Sequence, residues 1–115
     1  MIKRFFVFTV FLFLPLAQVT AQLGAIKGRV IDFSTGEPIY GANVALLELD
    51  TRKEVTSSTR EDGRFVFDNL SGGTYTVTVS FIGYKTRISQ VTVLEGLTKT
   101  RADFELKMAG LVGDE

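Results

Sequence analysis

The sequence predicts an all-β fold: an antiparallel sandwich of about seven strands, preceded by a secretory signal peptide. Three observations carry this. In the run 74–82 (TYTVTVSFI), residues 74–81 alternate hydroxyl and apolar side chains without a break. Short runs of the same kind recur every ~8–12 residues, with Gly, Asn, Asp and Ser clusters between them. No stretch beyond residue 22 sustains the 3.6-residue period of an amphipathic helix. A small closed barrel is the alternative architecture.

Residues 1–21 come first. Lys3 and Arg4 make a basic start, residues 5–17 (FFVFTVFLFLPLA) an uncharged apolar run, and Val19 and Ala21 a small-residue step before Gln22. This is the order of a cleavable signal. The run is ~13 residues long, short of the ~20 that hold a helix across a bilayer. An uncleaved anchor is therefore the lesser reading. Cleavage after Ala21 leaves about 94 residues, enough for one small domain working outside the cytoplasm.

The strands follow in order. Residues 25–33 turn Ile26, Gly28 and Val30 to one face, and residues 43–49 turn Val44 and Leu46 inward. Residues 55–59 are short and polar, which suits a sheet edge. Phe65 and Phe67 point inward between the turn Glu61-Asp62-Gly63, which needs a glycine at positive φ, and the turn cluster 69–73. These turns predict two hairpins, over residues 56–68 and 65–82. In residues 74–82, Tyr75, Val77, Val79 and Phe81 share the inner face. Residues 87–93 change phase between Ile88 and Val91, which predicts a bulge near Ser89-Gln90. Residues 98–107 read as one strand with Ala102, Phe104 and Leu106 inward. Residues 22–107 thus form the domain, and residues 108–115 a tail or the start of a linker.

Composition removes several function classes. There is no cysteine, so packing alone must hold the domain together, and no histidine. Ser-His-Asp and Cys-His catalysis, and zinc sites built from His and Cys, cannot be assembled. Without the signal, 11 basic residues stand against 13 acidic ones, a net charge of about −2. The charges are scattered singly along the chain, giving no electrostatic reason to expect nucleic acid or an anionic membrane as a partner.

The remaining candidates are modest. Thr35-Gly36-Glu37-Pro38-Ile39 is a turn-rich loop in which Glu37 is the side chain offered for contact. Asp32, Asp68 and the pair Glu61-Asp62 also lie at turns, where water keeps carboxylates near their free pKa. They lack the ligand spacing of a calcium-binding loop, so no metal and no cofactor is expected. Tyr75 and Phe81 carry the core phase. Tyr84 sits at a strand end, where it can bury its ring and keep its hydroxyl wet. Tyr40 is the aromatic in a loop. Glu37, Tyr40 and Tyr84 are therefore the expected surface contacts, and no residue is expected to be catalytic.

Taken in order, residues 28–32 (GRVID), 35–39 (TGEPI), 41–44 (GANV), Thr59, 62–65 (DGRF), Leu70, Gly73, Tyr75 and 77–85 (VTVSFIGYK) form a recognisable series. It resembles the carboxypeptidase regulatory-like domain, a transthyretin-like sandwich, over about residues 24–107. In the peptidases that name the family, activity belongs to a separate domain whose zinc site needs histidine, so the name implies no activity here. A signal peptide followed directly by this domain resembles the start of a TonB-dependent outer-membrane receptor. There the sandwich lies in the periplasm ahead of a plug and a barrel, neither of which is in this sequence. The resemblance implies a non-catalytic periplasmic interaction module with a periplasmic or outer-membrane protein partner. Membrane association would come only through a barrel or an uncleaved signal. The chain would be either the first part of such a receptor or a small stand-alone protein. The alternative is a stand-alone carbohydrate-binding module, because related sandwiches bind glycans.

Overall fold

Alternating side chains leave each strand one apolar face to bury, and two sheets packed face to face bury them all. The computed structural model describes residues 23–96 and 99–110, and within them this is the arrangement found. The signal-peptide reading of residues 1–21 lies outside the described residues, as do residues 111–115.

Eight strands follow in chain order, with no helix among the described residues: β1 (Gly24–Asp32), β2 (Asn43–Glu48), β3 (Glu54–Ser58), β4 (Arg64–Leu70), β5 (Gly73–Ser80), β6 (Arg87–Val93), β7 (Thr100–Arg101) and β8 (Phe104–Leu106). One sheet has β1 at its centre, antiparallel to β4 on one side and parallel to β7 and then β8 on the other. The second sheet runs β3-β2-β5-β6, antiparallel throughout. The first sheet contributes Ile26, Val30, Phe65, Phe67, Phe104 and Leu106 to the core, the second Val44, Leu46, Tyr75, Val77 and Val79 among others. Phe65 lies with its ring centre 6.0 Å from that of Phe67 and 6.2 Å from that of Phe104.

The strand positions follow the alternation closely, but the pairing does not follow the turns. The predicted hairpins over residues 56–68 and 65–82 do not form. β3 belongs to the second sheet, β4 to the first and β5 to the second again, so both connections cross the sandwich. The hairpins are β2–β3 and β5–β6. The turn before β4 does take a glycine at positive φ, 79° at Gly63. Its carbonyl accepts from the Val30 amide at 2.8 Å, tying the crossing to β1. β3 is the sheet edge that its polarity predicts.

The bulge expected near Ser89-Gln90 is also absent. The β5–β6 register runs unbroken, and Ile88 lies opposite Thr78 on the outer face, 66% exposed. The phase never changes; one apolar residue simply faces water. Among the described residues the register shift lies between β1 and β4, where Asn69 takes φ of 58° in the left-handed region that Asn tolerates.

The predicted final strand splits into β7 and β8, yet its register against β1 is the same on both sides of the gap. Across the gap the Arg29 amide donates to the Asp103 carboxylate at 3.0 Å. That side chain fills the place of a ladder carbonyl. The Ala102 amide still donates to Lys27 at 2.8 Å, and the Ala102 carbonyl lies where a Cβ on Gly28 would project, 1.8 Å away. A strand can approach β1 this closely only over a glycine. The tail predicted from residue 108 begins inside the domain: Met108 bridges Tyr84, and the Ala109 amide donates to Gly83 at 2.9 Å.

Candidate functional site

The β1–β2, β3–β4 and β5–β6 connections and the segment after β8 all lie at one end of the sandwich, because β1 and β8 finish where β2, β4 and β6 begin. This end holds the three sequence-predicted contacts. Glu37 and Tyr40 lie exposed on the β1–β2 loop, and Tyr84 lies half-buried after β5.

The loop is shaped by Asp32, the last residue of β1. One carboxylate oxygen accepts from the Ser34 amide at 2.7 Å and the Thr35 amide at 3.0 Å. The Asp32 carbonyl accepts from Gly36, which takes φ of 75°, and the Asp32 amide donates to the Glu37 carbonyl. This is an Asx turn, the local structure an aspartate favours. The loop returns to the strand through Ile39, whose amide donates to Val30, and through buried Thr59. The Thr59 hydroxyl donates to the Ile39 carbonyl at 2.6 Å and accepts from the Ala42 amide at 2.8 Å.

Tyr84 closes the end. Its hydroxyl donates to the other Asp32 oxygen at 2.6 Å, joining residues 52 positions apart. The expectation of a wet hydroxyl at Tyr84 and of a solvated carboxylate at Asp32 is corrected here, while Glu61, Asp62 and Asp68 are exposed as expected. Asp32 is buried, and its carboxyl is held below its ordinary pKa chiefly by the Tyr84 hydrogen bond, then by that from Thr35, against the opposing effect of burial. The same bond is the main cause that raises the Tyr84 phenol, with burial and the charges of Asp32 and Glu37 adding to it. Near neutrality the pair is a carboxylate and a neutral phenol, each driven away from the pH range in which it could exchange a proton. Chemically it is a clasp, not an acid–base couple.

Tyr40 does not join the clasp. It is 64% exposed, and the same end carries three further exposed apolar side chains that the strand pattern did not single out: Phe33 (53%), Ile82 (88%) and Met108 (65%). The Lys107 ammonium stands 4.6 Å from the centre of the Phe33 ring. Ile82 was readable as a strand residue in the outward phase. Met108 was hidden by the tail reading.

A two-sheet sandwich with a clasped, loop-built end is the architecture of a small β-module. The chain matches the carboxypeptidase regulatory-like domain over residues 25–107 and belongs to that family. No curated protein matches it. Among solved structures, a minor pilin of the Gram-positive pathogen Streptococcus agalactiae is similar with a TM-score of 0.65 at 16% identity, over 83% of this chain and 48% of that one. Catechol 1,2 dioxygenase of Acinetobacter radioresistens gives 0.66 at 12% identity, over 80% and 54%. The Bacillus anthracis TIE protein gives 0.64 at 18%, over 76% and 17%. At these identities the likeness is one of fold. This chain spans between 17% and 54% of the lengths of those three proteins.

Proposed function

We propose that the chain is a non-catalytic interaction module that works outside the cytoplasm and docks a protein partner through the clasped end of the sandwich. The observation that carries this is the gathering of Phe33, Tyr40, Ile82 and Met108, all more than half exposed, on segments that meet at one end. Large apolar side chains grouped on the surface of a small domain favour a protein contact. The hydrogen bonds around Asp32 and Thr59 hold the loop beneath them in one shape, which lowers the ordering cost of binding. The basic-apolar-small start of the sequence and membership of the family support a periplasmic setting at the front of a TonB-dependent outer-membrane receptor. A glycan-stacking role is less well supported, because the Tyr84 hydroxyl is committed to Asp32 and the Phe33 ring faces Lys107.

A photoreactive side chain at Ile82 or Tyr40, in the native host, should give a discrete adduct with an envelope protein. The same group at Lys53, in the β2–β3 turn of the opposite end, should not. Equal adducts from both ends, or none, would refute the docking end. In-phase coding sequence for a plug and barrel downstream tests the receptor setting separately. Purified protein is expected to hydrolyse neither peptides nor glycosides; turnover that disappears in Glu37→Gln or Asp62→Asn would overturn the non-catalytic reading.

A further inference from the structure

The outer face of the β1 sheet collects charges that the sequence scatters. β1 turns Lys27 and Arg29 outward. The register sets Lys27 beside Arg101 of β7, and Arg29 opposite Arg64 of β4. Like charges placed opposite one another across strands repel. Only part of this is offset: Asp62 lies 3.7 Å from Arg64, and Asp103 lies 2.8 Å from Arg101, both pairs well exposed. The Arg29 guanidinium donates to a backbone carbonyl, that of Asp62, at 3.1 Å. Among the described residues no carboxylate pairs with Lys27 or Arg60.

A hollow of about 170 Å³ opens between these side chains. Lys27, Arg60, Arg64 and Arg101 wall it, Gly28 and Phe65 lie beneath, and no carboxylate lines it. A wider hollow of about 380 Å³ continues past Arg101, with Arg29 and Arg87 set against Asp103 and Glu105. The pairs Lys27/Arg101 and Arg29/Arg64 are two residues apart on β1, so their centres are separated by roughly 6.5–7 Å.

We infer that this face is a binding site for a ligand carrying two phosphate groups about 7 Å apart on a polar scaffold of the sugar-phosphate kind. Arginine forks match the oxygens of phosphate, and a tetrahedral group can take donors from several walls of one hollow. Lys27, Arg29, Arg60, Arg64 and Arg101 less Asp62 and Asp103 leave a net charge of +3, which two phosphate monoesters at about −1.5 to −2 each offset at neutral pH. Neither hollow is lined by an exposed aromatic ring: the apolar residues that the strands turn outward here are Ile31 and Val66, and Phe33, which follows in the same phase, lies beyond the end of β1 beside the Lys107 ammonium. The row of exposed rings along the cations on which single-stranded nucleic acid stacks is therefore missing. The site is carried by a different face from the proposed docking end and does not depend on it.

The test is titration of the purified protein with fructose 1,6-bisphosphate at constant ionic strength, followed by backbone amide shifts and calorimetry. Inorganic phosphate, citrate and a short single-stranded oligonucleotide are the comparison probes. The bisphosphate should bind about tenfold or more tightly than inorganic phosphate or citrate, shifting amides of residues 27–29, 64 and 101. Lys27→Gln and Arg60→Gln should each weaken it by about tenfold, while Arg52→Gln, in the β2–β3 turn, should leave it unchanged. Arg64→Gln adds a third test where the variant folds. Equal binding of bisphosphate and inorganic phosphate, equal effects of Lys27→Gln and Arg52→Gln, or no binding would overturn the site. Tighter binding of the oligonucleotide would overturn it in favour of nucleic acid.

Discussion

Gly28→Ala tests the close approach on which the β1 sheet depends. The added Cβ would lie 1.8 Å from the Ala102 carbonyl oxygen, 2.8 Å from its carbon and 2.6 Å from the Phe65 ring. Ordinary carbon–oxygen contact begins at about 3.3 Å, so the strand must retreat by about 1.5 Å. The 2.8 Å bond from the Ala102 amide to Lys27 does not survive that movement, and the Arg29–Asp103 bond beside it is strained. Loss of one backbone bond costs about 1 kcal/mol, and overpacking a filled site about 1–3 kcal/mol. Alanine returns about 0.4–1 kcal/mol through the unfolded chain. The expected net loss is about 1–3.5 kcal/mol, read as a fall in urea midpoint at unchanged slope. Hydrogen exchange should accelerate first at Ala102. Gly36→Ala is the control: it has nothing within 4 Å of the new Cβ but sits at φ 75°, and should cost only the ~1–2 kcal/mol of a left-handed residue. A Gly28→Ala protein within 0.5 kcal/mol of the parent would show that β7 and β8 are not held against β1 in this way.

Thr59→Val keeps the shape but strands the Ile39 carbonyl and the Ala42 amide in a buried site, and should cost about 2–4 kcal/mol by urea unfolding; a neutral result would mean that water reaches both groups. Phe65→Ala should cost about 3–5 kcal/mol, since the ring is 2% exposed and touches two other aromatics; a loss under 1 kcal/mol would reverse the assigned faces. The Asp32–Tyr84 bond should shape stability at both ends of the pH scale. Asp32 has a lowered folded pKa, so its contribution is present above its ordinary value of 3.8 and is lost as pH falls through the folded value. Tyr84 has a raised one, so its contribution is present below its ordinary value of 10.0 and is lost as pH rises through the folded value. Thermal unfolding of Tyr84→Phe across pH should flatten both limbs; a profile parallel to the parent's would exclude the bond as their source.

The strands were readable because a period of two survives wherever one face is buried, and residues 74–81 carry it in full. Which strands pair was not readable. A turn of suitable composition between β3 and β4 serves equally to fold a strand back in its own sheet or to carry it across the sandwich. Ile88 misled for a related reason: an apolar side chain facing water breaks the hydrophobic pattern without breaking the backbone phase. Of the expected contacts, Glu37 and Tyr40 were legible as loop residues. The clasp was not, because Asp32 and Tyr84 meet only when the ends of β1 and β5 are brought together. The cation face was partly written in the alternation of Lys27 and Arg29. Its extent depended on the β1–β4 and β1–β7 registers, which no local pattern encodes.

β1 and β8 run parallel, so the described chain starts at one end of the sandwich and finishes at the other, a strand length of about 30 Å away. Tension applied between Leu23 and Gly110 slides β1 lengthwise against β7 and β8. The hydrogen bonds between them then share the load and must fail together. Tension between Gly36 and Gly110, at the same end, peels the strands apart one bond at a time. Pulling single molecules from the two pairs of handles should give a clearly higher rupture force for the first, and equal forces would dismiss the idea. Placed in series between other domains, the sandwich would act as a stiff mechanical link that transmits strain along its long axis and gives way easily only when pulled from the side.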